Sequence, residues 1–173
     1  MNPRPIGIFD SGVGGTTIWR EINQQLPNED TIYLADSKNA PYGERSKEEI
    51  LQLSIKNTEY LLGQGCKLIV VACNTATTNA ISYLRNHYKV PFIGIEPAIK
   101  PAALNSKSKK VGILATKGTL SSELFHSTSE NHASGITVLE REGTGLVPLI
   151  ESGKVGSPET KALFFQFLNP MLE

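Results

Sequence analysis

The run Leu-Ile-Val-Val-Ala-Cys-Asn-Thr-Ala-Thr-Thr at 68–78 ends an apolar segment in a thiol, Cys73, and follows it with small hydrogen-bonding side chains. It reads as a buried strand passing into a helix. A helix N-terminus carries unpaired N–H groups and the positive end of the helix dipole. Both favour thiolate over thiol, which predicts a Cys73 pKa below the free value of about 8.5. Asn74, Thr75 and Thr77 add donors and acceptors for a small polar ligand. Free cysteine is also a common buried residue, so position alone leaves a reactive and a structural reading open.

Nucleophilic catalysis by a thiol normally uses a nearby histidine. His87 lies 14 residues on along the same predicted helix, which at about 1.5 Å per residue is roughly 20 Å away. Nothing in the sequence places His126 or His132 near Cys73. An acid–base role needs no histidine partner and fits better. Cys66 lacks polar neighbours of this kind and reads as structural. The cysteine spacing matches no zinc motif and the histidines are scattered, so neither a metal site nor a disulfide is expected.

Other candidates also follow predicted strands, where α/β proteins bind ligands. They are Asp10, Asp36 and, in the second half, Thr116. The glycine-rich loop at 11–15 is not a phosphate loop. The chain has no G-x-x-x-x-G-K-[ST], and Thr17 stands where G-x-G-x-x-G needs its last glycine. Asp10 would also set a negative charge where a pyrophosphate binds. A tight turn presenting Asp10 and Ser11 is the better reading. Pro41-Tyr42-Gly43 suits a turn, and a lone aromatic in a polar loop can also line a pocket. Glu151 ends the apolar run at 146–150 and by itself is unremarkable.

The elements that must hold these residues alternate. Residues 6–9 predict a strand, and a helix follows to about residue 25, with Ile18, Ile22 and Leu26 on one face and Pro27 stopping it. Strand 31–35 and a polar loop at 36–45 come next. Ser46-Lys-Glu-Glu49 has the spacing of a capping box at the start of a helix running to about residue 62. Strand 68–72 is apolar throughout, as a parallel strand covered on both faces should be. A helix begins near Thr75, and 92–95 is another short strand.

The pattern then restarts. IGIFDSGVG at 6–14 aligns without gaps to VGILATKGT at 111–119, an offset of 105 residues. The same offset carries strand 31–35 onto 136–140. Ser157-Pro158-Glu159 reads as an N-cap with proline at the first helical position. Phe164, Phe167, Leu168 and Met171 form a stripe on the helix that follows. The expected fold is α/β, with two pseudo-symmetric Rossmann-like half-domains at 1–97 and 98–173 and mostly parallel sheets. Residue 68 maps onto residue 173, the last in the sequence. The second half is therefore expected to be incomplete, with a poorly covered stripe at 164–171 and, as a result, lowered stability, rearrangement or association.

Bulk properties agree with a globular chain. Its 173 residues are 39% hydrophobic, and 17 basic residues balance 17 acidic ones. No strong field points to nucleic acid or an anionic membrane. No secretory signal or bilayer-length apolar run is present, so a cytoplasmic location is expected.

Together, IGIFDSGVGG at 6–15, APYGERS at 40–46, VVACNTAT at 70–77, IGIEPAIKPA at 93–102 and VGILATKGT at 111–119 resemble the cofactor-independent aspartate/glutamate racemase family, the glutamate racemases in particular. The resemblance implies interconversion of L- and D-glutamate for peptidoglycan synthesis, with neither pyridoxal phosphate nor metal. It implies two cysteines on opposite sides of the substrate α-carbon, one removing a proton and the other delivering one. Cys73 matches the first, with Asp10 as its carboxylate partner. Ser11, Tyr42, Gly43, Asn74 and Thr75 match substrate-binding positions, as do Thr116 and Thr119 in the second half. Glu151 matches a glutamate that assists the second cysteine. The Gly-Cys-Thr-His segment holding that cysteine does not occur here, so this chain by itself is expected to be impaired. The resemblance further implies a homodimer and, for some members, inhibition of DNA gyrase. A racemase for aspartate and a non-catalytic regulatory protein are the competing readings.

Overall fold

The computed structural model describes residues 3–132 and 135–172. The chain divides into two compact units, Met1–Glu96 and Pro97–Glu173.

The first unit is built on four parallel strands: β1 (Ile6–Asp10), β2 (Thr31–Ala35), β3 (Leu68–Val71) and β4 (Phe92–Gly94). Their order across the sheet is β2-β1-β3-β4. The chain runs outward from β1 to β2, then crosses back to place β3 on the other side of β1. The order thus reverses between β1 and β3, and the crevice beyond their carboxyl ends is where such sheets bind ligands.

The strands alternate their side chains between two helical layers. Ile6, Ile8, Val70 and Ala72 face α1 (Thr16–Gln25), through Ile18, Trp19 and Ile22. The opposite face is covered by α2 (Lys47–Gly63) and α3 (Asn74–His87). With both faces covered, β1 is buried at all five positions, and full burial of a side chain such as Ile8 or Phe9 contributes about 2 kcal/mol. Helix α2 begins with the expected capping box: the Ser46 hydroxyl accepts from the Glu49 amide at 3.2 Å, and the Glu49 carboxylate accepts from the Ser46 amide at 3.0 Å.

The second unit contains a parallel pair, β5 (Lys110–Ala115) and β6 (Thr137–Glu142). One face packs on α4 (Ile99–Asn105) and α6 (Glu123–His132), through Ile99, Ala103 and Phe125 against Ile113 and Val138. The other carries α8 (Pro158–Leu172), whose Met171 lies over Gly112. Two short helices, α5 (Lys117–Leu120) and α7 (Leu146–Glu151), follow the carboxyl ends of the strands.

The repeat is real in its strands but its register needs correction. Ile6 pairs with Thr31, 25 residues on, whereas Val111 pairs with Val138, 27 residues on. Two extra residues between β5 and β6 move β6 beyond the constant offset. Helices α4 to α7 also go beyond the sequence reading. Pro101 and Pro148 disguise α4 and α7, yet each sits in a first turn, where proline removes no helical hydrogen bond.

The stripe on α8 is split. Phe167 and Met171 are half-buried, while Phe164 and Leu168 are 37% and 39% exposed. Residue 173, where the repeat would begin its next strand, lies outside the described residues. Among the described residues no helix is long and apolar enough to cross a membrane.

Candidate active site

The carboxyl end of β1 places Asp10 in the crevice. Its side chain is buried, and one carboxylate oxygen accepts from the amides of Gly12 at 3.2 Å and Gly15 at 3.0 Å. The glycine loop therefore wraps its own aspartate. A Cβ on Gly15 would stand 2.7 Å from Asp10 Cβ, 2.9 Å from Ala72 Cβ and 2.9 Å from the Tyr33 hydroxyl. Only glycine fits there. Tyr33 locks the loop from the next strand, its hydroxyl donating to the Gly12 carbonyl at 2.9 Å.

Cys73 caps α3 at the end of β3. Its sulfur accepts from the Ala76 amide at 3.4 Å, and its thiol donates to the Ser11 hydroxyl at 3.5 Å. The side chain is only 6% exposed. The expected fall in its pKa does not occur. Burial, and then the charge of Asp10, push the thiol up to about 11, while the Ser11 and Ala76 hydrogen bonds pull the other way and lose. The magnitudes explain the outcome. A helix terminus favours an anion by roughly 0.3–1 kcal/mol in most settings, whereas taking an ion out of water costs several. The resting site thus holds a protonated thiol beside a carboxylate.

Around this pair, Asn74 is exposed and Thr75 buried in the first turn of α3. Thr77 is not a ligand donor, because its hydroxyl donates to the Val71 carbonyl at 3.1 Å. The Pro41-Tyr42-Gly43 segment leads into a 3-10 turn, Tyr42–Glu44, with Tyr42 and Gly43 both buried. The Tyr42 hydroxyl donates to Asp36 Oδ2 at 2.6 Å and accepts from Asn57 Nδ2 at 2.9 Å. Burial first, and Asp36 second, hold this phenol far above its usual pKa. Its proton is already committed to Asp36, so the Tyr42 hydroxyl is not a free donor.

In the second unit, Thr116 caps α5 at the end of β5. Its Oγ1 accepts from the Thr119 amide at 3.3 Å and shares a hydrogen bond with the Thr119 hydroxyl at 3.1 Å. Glu151 is the last residue of α7 and is half-buried. The structure thus gathers Asp10, Ser11, Cys73 and Thr75 at one sheet end of the first unit, and pairs Thr116 with Thr119 in the second. Both cysteines are free thiols. Among the described residues no group of three or more His, Cys, Asp or Glu side chains is placed to hold a metal ion.

Asp36, a candidate in the sequence as a strand end, lacked its partner there, and two residues of the site, Asn57 and Tyr33, escaped the sequence reading. Asn57 had a signal in periodicity, since it falls on the buried stripe Ile50, Ser54, Asn57, Thr58, Leu61 of α2. Tyr33 had none.

A protonated thiol near a carboxylate at a sheet's switch point is an arrangement capable of acid–base chemistry. The family described as Asp/Glu/Hydantoin racemase matches residues 6–173, and the chain belongs to it. It is 48% identical over 169 residues to the glutamate racemase of Ralstonia pickettii strain 12J, covering 98% of this chain and 60% of that protein. It is 47% identical over 173 residues to the glutamate racemase of Cupriavidus pinatubonensis, covering 100% of this chain and 64% of that protein. The fold matches the crystal structure of Escherichia coli glutamate racemase in complex with L-glutamate and the activator UDP-MurNAc-Ala, with a TM-score of 0.88, 34% identity, and coverage of 99% of this chain and 65% of that one. It also matches the Francisella tularensis enzyme in complex with D-glutamate, with a TM-score of 0.82, 30% identity, and coverage of 98% and 64%. The chain spans roughly three-fifths to two-thirds of the length of these relatives.

Proposed function

We propose that the natural protein carrying this sequence is a glutamate racemase, interconverting L- and D-glutamate for peptidoglycan synthesis in the cytoplasm. The observation that carries the proposal is the buried Cys73 thiol, 3.5 Å from the Ser11 hydroxyl and within the field of Asp10. In one direction the thiol gives its proton to the α-carbon. In the other, the thiolate takes the α-proton as the Cα–H bond breaks, and the electron pair left on carbon delocalises into the substrate carboxylate. A substrate ammonium entering beside Asp10 offsets the charge that holds Cys73 protonated. Such a site stabilises developing charge with fixed donors away from water. Ser11, Asn74 and Thr75 supply donors, and Tyr42 and Gly43 form a wall. Thr116, Thr119 and Glu151 of the second unit are proposed to keep the roles that the family resemblance implies. The working protein is proposed to be a homodimer.

Inversion needs a second acid–base group on the other face of the α-carbon. The other thiol in the sequence, Cys66, is buried against Gly7, where an added Cβ would stand 2.9 Å from its sulfur. The 173-residue polypeptide by itself is therefore proposed to be nearly inactive.

A chiral assay on the natural protein, its Cys73→Ala variant and the isolated 173-residue polypeptide tests both statements. The natural protein should racemise glutamate in preference to aspartate. The variant and the short polypeptide should each be slower by about a hundredfold or more, the usual loss on removing an acid–base group. Undiminished turnover in Cys73→Ala would overturn the assignment, and normal turnover by the short polypeptide would overturn the impairment.

A further inference from the structure

The polar chain through Asn57, Tyr42 and Asp36 is deeply placed and joins three elements. Asn57 is 4% exposed in the middle of α2, and Tyr42 is 1% exposed. Asn57 donates to the Tyr42 hydroxyl, and that hydroxyl donates to Asp36. The Asp36 amide in turn donates to the Asp10 carbonyl at 3.0 Å, which ties the chain to the strand that carries Asp10. The loop at 36–45 is tied to itself as well. Asn39 Nδ2 donates to the second Asp36 oxygen at 2.8 Å, and Arg45 Nε donates to the Asn39 carbonyl at 2.8 Å. The turn holding Tyr42 packs on α3, the helix that Cys73 caps.

The direction of these bonds matters. A tyrosine hydroxyl has one proton and can turn it toward any acceptor. Here Asp36 takes the proton, and the Asn57 amide, which can only donate through its nitrogen, occupies the oxygen from the other side. With Nδ2 on that side, the hydroxyl proton points to Asp36. An aspartate at 57 would compete with Asp36 for the same proton, and an apolar residue would leave the hydroxyl half-satisfied in a dry setting, a costly state.

We infer that Asn57 is a positioning residue for the active site: acting through Tyr42, it fixes the loop at 36–45 as the rigid wall beside Cys73. The inference rests on reading the Cys73 crevice as the substrate site, but one arm of its test, alkylation, does not depend on glutamate turnover.

The test is a double-mutant cycle in the natural protein, using Asn57→Leu, Tyr42→Phe and their combination. Two quantities are read: the rate at which iodoacetamide alkylates Cys73, resolved from Cys66 by peptide mass, and kcat and KM for glutamate. Asn57→Leu should speed Cys73 alkylation about tenfold. It should raise KM about tenfold with kcat within about threefold, the pattern of lost uniform binding. In the Tyr42→Phe background the same change should alter neither quantity by more than about twofold, because the partner it acts through is gone. Equal effects in both backgrounds, or no effect in either, would overturn the inference. If Asn57→Leu does not fold, the isosteric Asn57→Asp serves. It should move both quantities the same way, and a wild-type-like Asn57→Asp would again overturn the inference. If the protein does not racemise glutamate, the alkylation arm still decides the role of Asn57. If Cys73→Ala stays fully active while the alkylation coupling holds, the racemase reading fails and the positioning role stands.

Discussion

The Cys73 thiol donates to the Ser11 hydroxyl across 62 residues of sequence, at 3.5 Å. That contact joins the end of β3 to the loop after β1, and it brings the sulfur within reach of the Asp10 charge. At rest the proton of this pair lies on sulfur.

Cys73 should therefore be a slow thiol at neutral pH. Its alkylation rate is expected to rise with pH toward a midpoint near 11. Asp10→Asn removes the second cause of that shift while keeping an acceptor for the Gly12 and Gly15 amides. It should speed alkylation at pH 8 by about tenfold, as a fall of about one pKa unit does. A rate unchanged in Asp10→Asn would show that burial alone sets the pKa.

The same thiol links stability to pH. Its pKa is raised on folding, from 9.0 to about 11, so the folded state holds the proton more tightly. The stabilisation is fully present below pH 9 and is lost as pH rises through about 11. Tyr42, also raised, adds a loss in the same direction. Denaturant titrations should show stability falling above pH 9, with a shallower fall in Cys73→Ala. Equal slopes in the two proteins would refute the linkage.

Gly15 and Gly14 make a matched pair. Gly15→Ala drives a methyl into Asp10, Ala72 and Tyr33, all within 2.9 Å, whereas at Gly14 the nearest atom is Asp10 Oδ2 at 3.5 Å, an ordinary contact. Overpacking of the first kind costs typically 1–3 kcal/mol. Thermal melts should show Gly15→Ala clearly destabilised and Gly14→Ala much closer to the parent. Similar melting temperatures for the two variants would mean that the loop can shift aside.

Ser46→Ala removes the hydroxyl of the capping box on α2. A loss of about 1 kcal/mol is expected. Because the helix carries Asn57 on its buried face, the variant also shows whether weakening the start of α2 is felt at Cys73. Alkylation should stay within about twofold of the parent, since Asn57 lies about three turns from the cap.

What the sequence disclosed, and what it hid, follow physical lines. Strand ends were legible, because β1 is apolar up to its final residue Asp10, and the apolar run of β3 gives way to polar residues after Cys73. The capping box was legible because it is a local bargain between residues three apart. The Cys73 pKa was not. The helix N-terminus could be read from 68–78, but depth of burial and the nearness of Asp10 arise only when β1 and β3 pair. Thr77 misled for the same reason, since the carbonyl it satisfies is exposed by the turn from β3 into α3. In the second unit the repeat located β5 and came within one residue of the start of β6. It could not show the two-residue insertion between them, nor the helices disguised by Pro101 and Pro148.

The loop that Gly12 and Gly15 build around Asp10 has a consequence for selectivity. Inward-turned amides of this kind make a receptor for anions, and cells are rich in phosphorylated metabolites that would occupy it. Here the receptor is filled from within. A tethered carboxylate competes at an effective concentration on the order of millimolar or higher, and its charge repels a second anion. On the proposed function, the crevice is expected to refuse nucleotides and sugar phosphates without a gate, and to admit a ligand that brings a cation toward Asp10, as the ammonium of an amino acid does.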